Sequence, residues 1–139
     1  LTGDAAGPAF DQLEVSRGLA IGDLDNDGFA DVVITNNNGP ARVLRNTAAT
    51  EGGWLGLDLR QPGPNRLAIG ATVTVDAGPA AGTLFRVRTD GSYLSASDPR
   101  VLIGMGRHTA PVDVAVTWPD GTLQRFENLA LGRYHRLSR

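Results

Sequence analysis

Four carboxylates stand at positions 1, 3, 5 and 9 of the run Asp23-Leu24-Asp25-Asn26-Asp27-Gly28-Phe29-Ala30-Asp31, with glycine at position 6. Aspartates this close repel one another unless a cation neutralises them. Hard divalent cations take carboxylate and carbonyl oxygens, and calcium tolerates the irregular shell of about six to eight ligands that a short loop supplies. Gly28 permits the sharp backbone reversal that turns later ligands back toward an ion. The run reads as a calcium loop. Asp23, Asp25, Asp27 and Asp31 supply side-chain oxygens, Phe29 its main-chain carbonyl, and a water completes the shell. The competing reading is an acidic, solvated turn; the glycine and the ninth-position acid both favour the metal.

The flanking residues say what must position this loop. An EF-hand places a bidentate Glu at position 12 between two helices, but Ile34 stands there. Upstream lies Gly18-Leu19-Ala20-Ile21-Gly22, and downstream Asp31-Val32-Val33-Ile34-Thr35. The second flank is rich in β-branched residues, which favour strands. The loop is therefore expected to join two antiparallel strands, at about 17–22 and 30–35.

Further strands are expected over 41–45, 54–60, 71–76, 83–89, 101–104, 112–118, 123–127 and 134–137. In Trp54-Leu55-Gly56-Leu57-Asp58-Leu59-Arg60, the leucines fall on one face, the period-2 signature of a half-buried strand. Val112–Trp118 alternates clearly, and Pro119-Asp120-Gly121-Thr122 supplies turn chemistry, so 112–127 reads as a hairpin. No amphipathic helix is evident. The expected fold is all-β: a compact antiparallel β-sandwich or barrel carrying an N-terminal calcium-loop hairpin. Residues 1–16 read as an irregular lead-in, and the small-residue stretch Ala48–Gly53 as a linker. That places one unit at 1–50 and a second at 51–139.

Composition excludes several functions. A length of 139 residues with 41% hydrophobic side chains allows one ordinary domain with an appendage. The net charge of −2 excludes a strongly basic nucleic-acid binder. There is no Cys, so neither disulfides nor thiolate metal sites are available. All 13 basic residues are Arg. No segment has the apolar length of a membrane span. The chain opens on Leu1 rather than Met and is expected to be a piece of a longer protein, with any targeting sequence upstream.

Other segments carry weaker chemistry. Asn65–Ala71 suits a recognition loop or, the favoured reading, a turn entering a strand with Gly70 allowing close backbone approach. Ser92–Arg100 offers three hydroxyls, a phenol, a carboxylate and a guanidinium, enough to bind a sugar or peptide; Ser and Asp before Pro are also turn formers. Gly104-Met105-Gly106-Arg107 lacks the third glycine of a dinucleotide fingerprint. Trp118 is either packed beneath a turn or exposed as a carbohydrate platform. Arg125, Arg133, His135, Arg136 and Arg139 make the C-terminal end basic. Ser95 or Ser97 with His108 or His135 makes a triad only on paper, for no nucleophile-elbow pattern surrounds either serine. No catalysis is expected.

The run Arg17–Gly28, continued through Asp31–Asn36 and ending at Leu44-Arg45-Asn46, resembles an FG-GAP/VCBS-type repeat. Trp54-Leu55, Asn65–Ala71, Ser92–Ser95, Ile103–Gly106 and Val116–Gly121 resemble the ASPIC/UnbV domain. The first resemblance implies a propeller-blade strand unit whose aspartate loop binds calcium; the second implies no general biochemical activity. A lone blade cannot bury its own apolar face. Residues 17–46 are thus expected to pack on the second unit, pair with another chain or remain mobile. The expected role is a calcium-binding module of a larger secreted or extracytoplasmic protein. Its partner would be a protein or glycan, not nucleic acid, and self-association through residues 1–46 is expected. The competing role is a carbohydrate-binding accessory module of a multidomain enzyme.

Overall fold

A computed structural model describes residue 7, residues 11–47 and residues 52–139. Most of the lead-in, Phe10 included, and the expected boundary at 50/51 lie outside the described residues.

Among the described residues, every regular element is a strand. In chain order these are β1 (Ser16–Gly22), β2 (Asp31–Asn36), β3 (Arg42–Leu44), β4 (Gly53–Arg60), β5 (Thr72–Val75), β6 (Leu84–Arg86), β7 (Val101–Gly106), β8 (Val112–Thr117), β9 (Leu123–Leu129) and β10 (Arg133–Ser138). They form three sheets, of order β1-β2-β3, β10-β4-β7 and β6-β5-β8-β9. None closes into a barrel, which resolves the expected fold toward a sandwich.

The sandwich follows from alternation. Leu55, Leu57 and Leu59 of β4, Val101, Ile103 and Met105 of β7, and Leu137 of β10 are buried. They share one apolar cluster with Val73 and Val75 of β5, Val112, Val114 and Val116 of β8, and Leu129 of β9. Fully burying such a side chain contributes about 1.5–3 kcal/mol. Every buried apolar residue among the described ones lies between Leu55 and Leu137. Among the described residues, the sheet β1-β2-β3 therefore contributes no buried apolar side chain; Ile21 and Val43 are exposed on it, as is Leu24 in the loop.

Two sequence expectations need correction. The sandwich is not wholly antiparallel, because β10 runs parallel to β4, with Leu55 opposite Arg133 and Leu59 opposite Leu137. A parallel neighbour needs a long crossover, and here that crossover is the rest of the domain. Nor is β4 half-buried. The Tyr134 ring covers Gly56 so closely that a Cβ there would overlap it, and Asp58 is buried beneath Arg60 and Arg136. Gly70 takes a φ of 95° at a turn, and its N–H meets the Val87 carbonyl at 2.8 Å, the close backbone approach expected there.

The first sheet is where the calcium-loop hairpin was expected. Strand β1 pairs antiparallel with β2, Ile21 facing Val32 and Gly22 facing Asp31. The loop hangs between them.

Candidate metal centre

The aspartate loop is organised by its own main-chain hydrogen bonds. Asp23, at 2% exposure, accepts the Asp27 N–H on Oδ1 at 3.1 Å and the Gly28 N–H on Oδ2 at 3.0 Å. Asp27 Oδ1 accepts the Phe29 N–H at 2.9 Å. Asn26 and Gly28 both take left-handed conformations, with φ of 62° and 90°. For Asn this is tolerated and for Gly it is free, which is why this sequence can coil so tightly.

Asp31 stands at the base of the loop, 1% exposed. Its Oδ1 accepts the Asn46 N–H at 2.8 Å and its Oδ2 the Leu24 N–H at 3.0 Å. Hydrogen bonds to the charged form favour it. The Asn46 N–H foremost, then that of Leu24, hold the Asp31 carboxyl below its ordinary range against the opposing effect of burial. Asp31 thus closes the loop and ties the exit of β3 to β2, with one lone pair left on each oxygen.

Carboxylate oxygens of Asp23, Asp25 and Asp27 all lie within 4.8 Å of one another. Two oxygens on opposite sides of a calcium ion, each at about 2.3–2.6 Å, stand about 4.6–5.2 Å apart. The donors are hard oxygens and their spacing suits such an ion, so the residues fit calcium. Arg45 is the cation beside them here, paired with Asp25 and 3.9 Å from Asp27 Oδ2. The three clustered aspartates are those expected from the spacing. Phe29 follows Gly28 within the loop, and Asp31 lies at its foot.

The surface that receives the loop carries no signature in the spacing of the aspartates. The Tyr134 hydroxyl on β10 donates to Asp23 Oδ2 at 2.9 Å. Arg100 donates from Nη2 to the Asp23 carbonyl at 2.6 Å and from Nη1 to Asn26 Oδ1. The same guanidinium is held by Asp98, Nε to Oδ2 at 2.7 Å, and lies 4.1 Å above the Tyr134 ring. Trp54 meets Tyr134 edge-on at 5.3 Å between centroids and packs against Gly28, where a Cβ would overlap the indole. The Asp98 hydrogen bond raises the Arg100 pKa above its ordinary value. Burial foremost, then the hydrogen bond to Asp23, pushes the Tyr134 phenol up.

The hydroxyl-rich segment Ser92–Arg100 packs on the chain's own β1. Ser97 Oγ accepts the Ile21 N–H at 3.2 Å, and the Ile21 carbonyl accepts the Asp98 N–H at 2.9 Å. Tyr93 of that segment stays 65% exposed. Trp118 is 1% exposed, and its Nε1 donates to Gln124 Oε1 at 3.0 Å. It is the packed tryptophan of the two readings, not a carbohydrate platform. Among the described residues, no hydrogen bond joins a serine to a histidine; His135 Nε2 instead meets the Ala130 carbonyl at 2.7 Å. The basic C-terminal end is partly neutralised, Arg136 by Asp58 and Arg139 by Asp120. No helix among the described residues is long and apolar enough to cross a membrane.

One sequence signal could have exposed the receiving surface. Gly56 interrupts the β4 pattern, and glycine within a strand marks close approach of another group. The group is Tyr134.

Comparison with protein families matches residues 61–139 to ASPIC and UnbV and residues 17–52 to the FG-GAP repeat. No curated protein matches the chain.

Proposed function

Since the chain belongs to the ASPIC and UnbV family, with an FG-GAP repeat preceding that domain, we propose that it is a non-catalytic, calcium-binding β module of a larger extracytoplasmic protein, used for interaction with a protein or glycan. The observation that carries this reading is the convergence of the Asp23, Asp25 and Asp27 carboxylates within 4.8 Å. Asp31 and the Phe29 carbonyl complete the protein's share of the ligands. The ion supplies charge neutralisation and rigidity to a loop that otherwise relies on Arg45. The working division is 1–50 for the repeat and 51–139 for the β domain.

Self-association through residues 1–46 belongs to the same reading. The outer edge of β1 is engaged by Ser97 and Asp98. Strand β3 is the other edge of that sheet and carries exposed Val43. An open edge recruits further strands.

Calorimetric titration with calcium tests the central claim. The unaltered chain should bind in the range of about 0.1–1 mM common to extracellular modules. Asp25→Ala should abolish the heat, since Asp25 has no main-chain bond to maintain. Equal affinity in the two proteins would refute the assignment.

A further inference from the structure

The repeat's aspartates do not act alone. We infer that the calcium site is built by both units, with Tyr134 and Arg100 of the ASPIC and UnbV domain acting as positioning residues for the ligands Asp23 and Asn26's neighbours Asp25 and Asp27. The inference rests on the calcium reading above and names what that reading lacks.

Asp23 carries the argument. A carboxylate oxygen offers two lone pairs. Oδ2 is filled, by the Gly28 N–H at 3.0 Å and the Tyr134 hydroxyl at 2.9 Å. Oδ1 holds only the Asp27 N–H at 3.1 Å. The phenol therefore selects Oδ1 as the oxygen left for a cation and fixes the carboxylate plane. Arg100 does the same for the backbone. Its bonds to the Asp23 carbonyl and to Asn26 Oδ1 clamp the residue between Asp25 and Asp27 in its left-handed conformation. A guanidinium next to a cation site would ordinarily oppose binding. Here Asp98 pairs with it at 2.6 Å and neutralises it. Partners of this kind orient the groups that touch a metal, and their loss typically weakens metal affinity about 10–100-fold.

The contacts also run the other way. Whatever the loop gains in binding calcium, the docked arrangement of the two units must gain as well, because coupling between binding and docking is reciprocal. Trp54, packed on Gly28 and Tyr134, sits where that change is sensed. Trp118 is buried in the sandwich and is not.

The test is calcium titration of the full chain by calorimetry and tryptophan emission. The parent is compared with Tyr134→Phe, Arg100→Gln, Asp25→Ala and the core variant Val116→Ala. Tyr134→Phe keeps the ring on Gly56 and removes only the hydroxyl. It and Arg100→Gln should each bind calcium about 10-fold more weakly. Val116→Ala lowers stability without touching the loop and should bind as the parent does, which separates positioning from general loosening. Calcium should shift the emission of the parent but not of Trp54→Phe. Parent-like affinity in Tyr134→Phe and Arg100→Gln, with Asp25→Ala still inactive, overturns this inference and leaves the calcium reading standing. Absence of binding by the parent overturns both.

Discussion

Removing the Asp31 carboxylate should open the aspartate loop at its base. Asp31→Ala deletes two acceptors at once, those of the Leu24 and Asn46 N–H groups at 3.0 and 2.8 Å. A hydrogen bond to a charged group contributes about 1.5–3 kcal/mol. Since about 1.4 kcal/mol is tenfold, each amide should lose roughly 10–150-fold of its protection from hydrogen exchange. Asp31→Asn keeps one carbonyl oxygen and turns an NH2 group toward the other N–H, so only one of the two amides should be deprotected. Exchange measured in a calcium-free, chelator-containing buffer reads the effect directly at Leu24 and Asn46. Acid should reproduce it. The folded-state pKa of Asp31 lies below the unfolded value of about 3.9. Its contribution is thus complete above that pH and is lost as pH falls through the lower folded value. Parent-like exchange at both amides in Asp31→Ala would refute the reasoning.

Two further outcomes are expected. Gly28→Ala places a side chain at φ of 90° and against the Trp54 indole; the backbone cost alone is about 1–2 kcal/mol, and Trp54 emission should shift toward that of a solvated indole. Unchanged emission would show that Gly28 does not seat the indole. Light scattering should find the full chain associating at high concentration, and Val43→Lys on β3 should return it to a monomer, because edge lysines block strand pairing; a monomeric parent would sink the edge-pairing proposal.

Much of the architecture is legible in the residues, and the reasons are local. Alternation in Val112–Thr117 and the β-branched run after Asp31 mark strands because burial on one face imposes a period of two. The cluster of Asp23, Asp25 and Asp27 is legible because a loop of nine residues brings its own carboxylates together. What escapes is whatever depends on residues far apart in the chain. The parallel pairing of β10 with β4 leaves no mark in either strand, since both orientations bury the same leucines. Ser92–Arg100 shows polar chemistry, yet the strand it packs on, β1, lies more than seventy residues away, with the Ile21–Ser97 bond spanning 76. Tyr134 looks like one more aromatic in a strand until its hydroxyl is found on Asp23. Trp118 before its Pro-Asp-Gly turn reads most simply as packed, and its burial among the sandwich valines agrees.

The bond between Tyr134 and Asp23 spans 111 residues. At about 5–20 residues per second of synthesis, the loop waits roughly 6–20 s for its hydroxyl. Strand β4 waits in the same way, for a shorter time, for β10, its parallel neighbour. Contacts so distant in sequence close slowly, since the entropy of a long loop must be overcome before they form. Through that interval the apolar residues of β1, β2 and β3 have no completed sandwich to pack on, and among the described residues Ile21 and Val43 stay exposed even in the finished fold. The clustered negative charge of Asp23, Asp25 and Asp27 then has a use that precedes any metal. Like charge at the end of the sheet where β1 turns into β2 opposes the approach of a second copy at that end, and leaves the β3 edge as the one open to pairing.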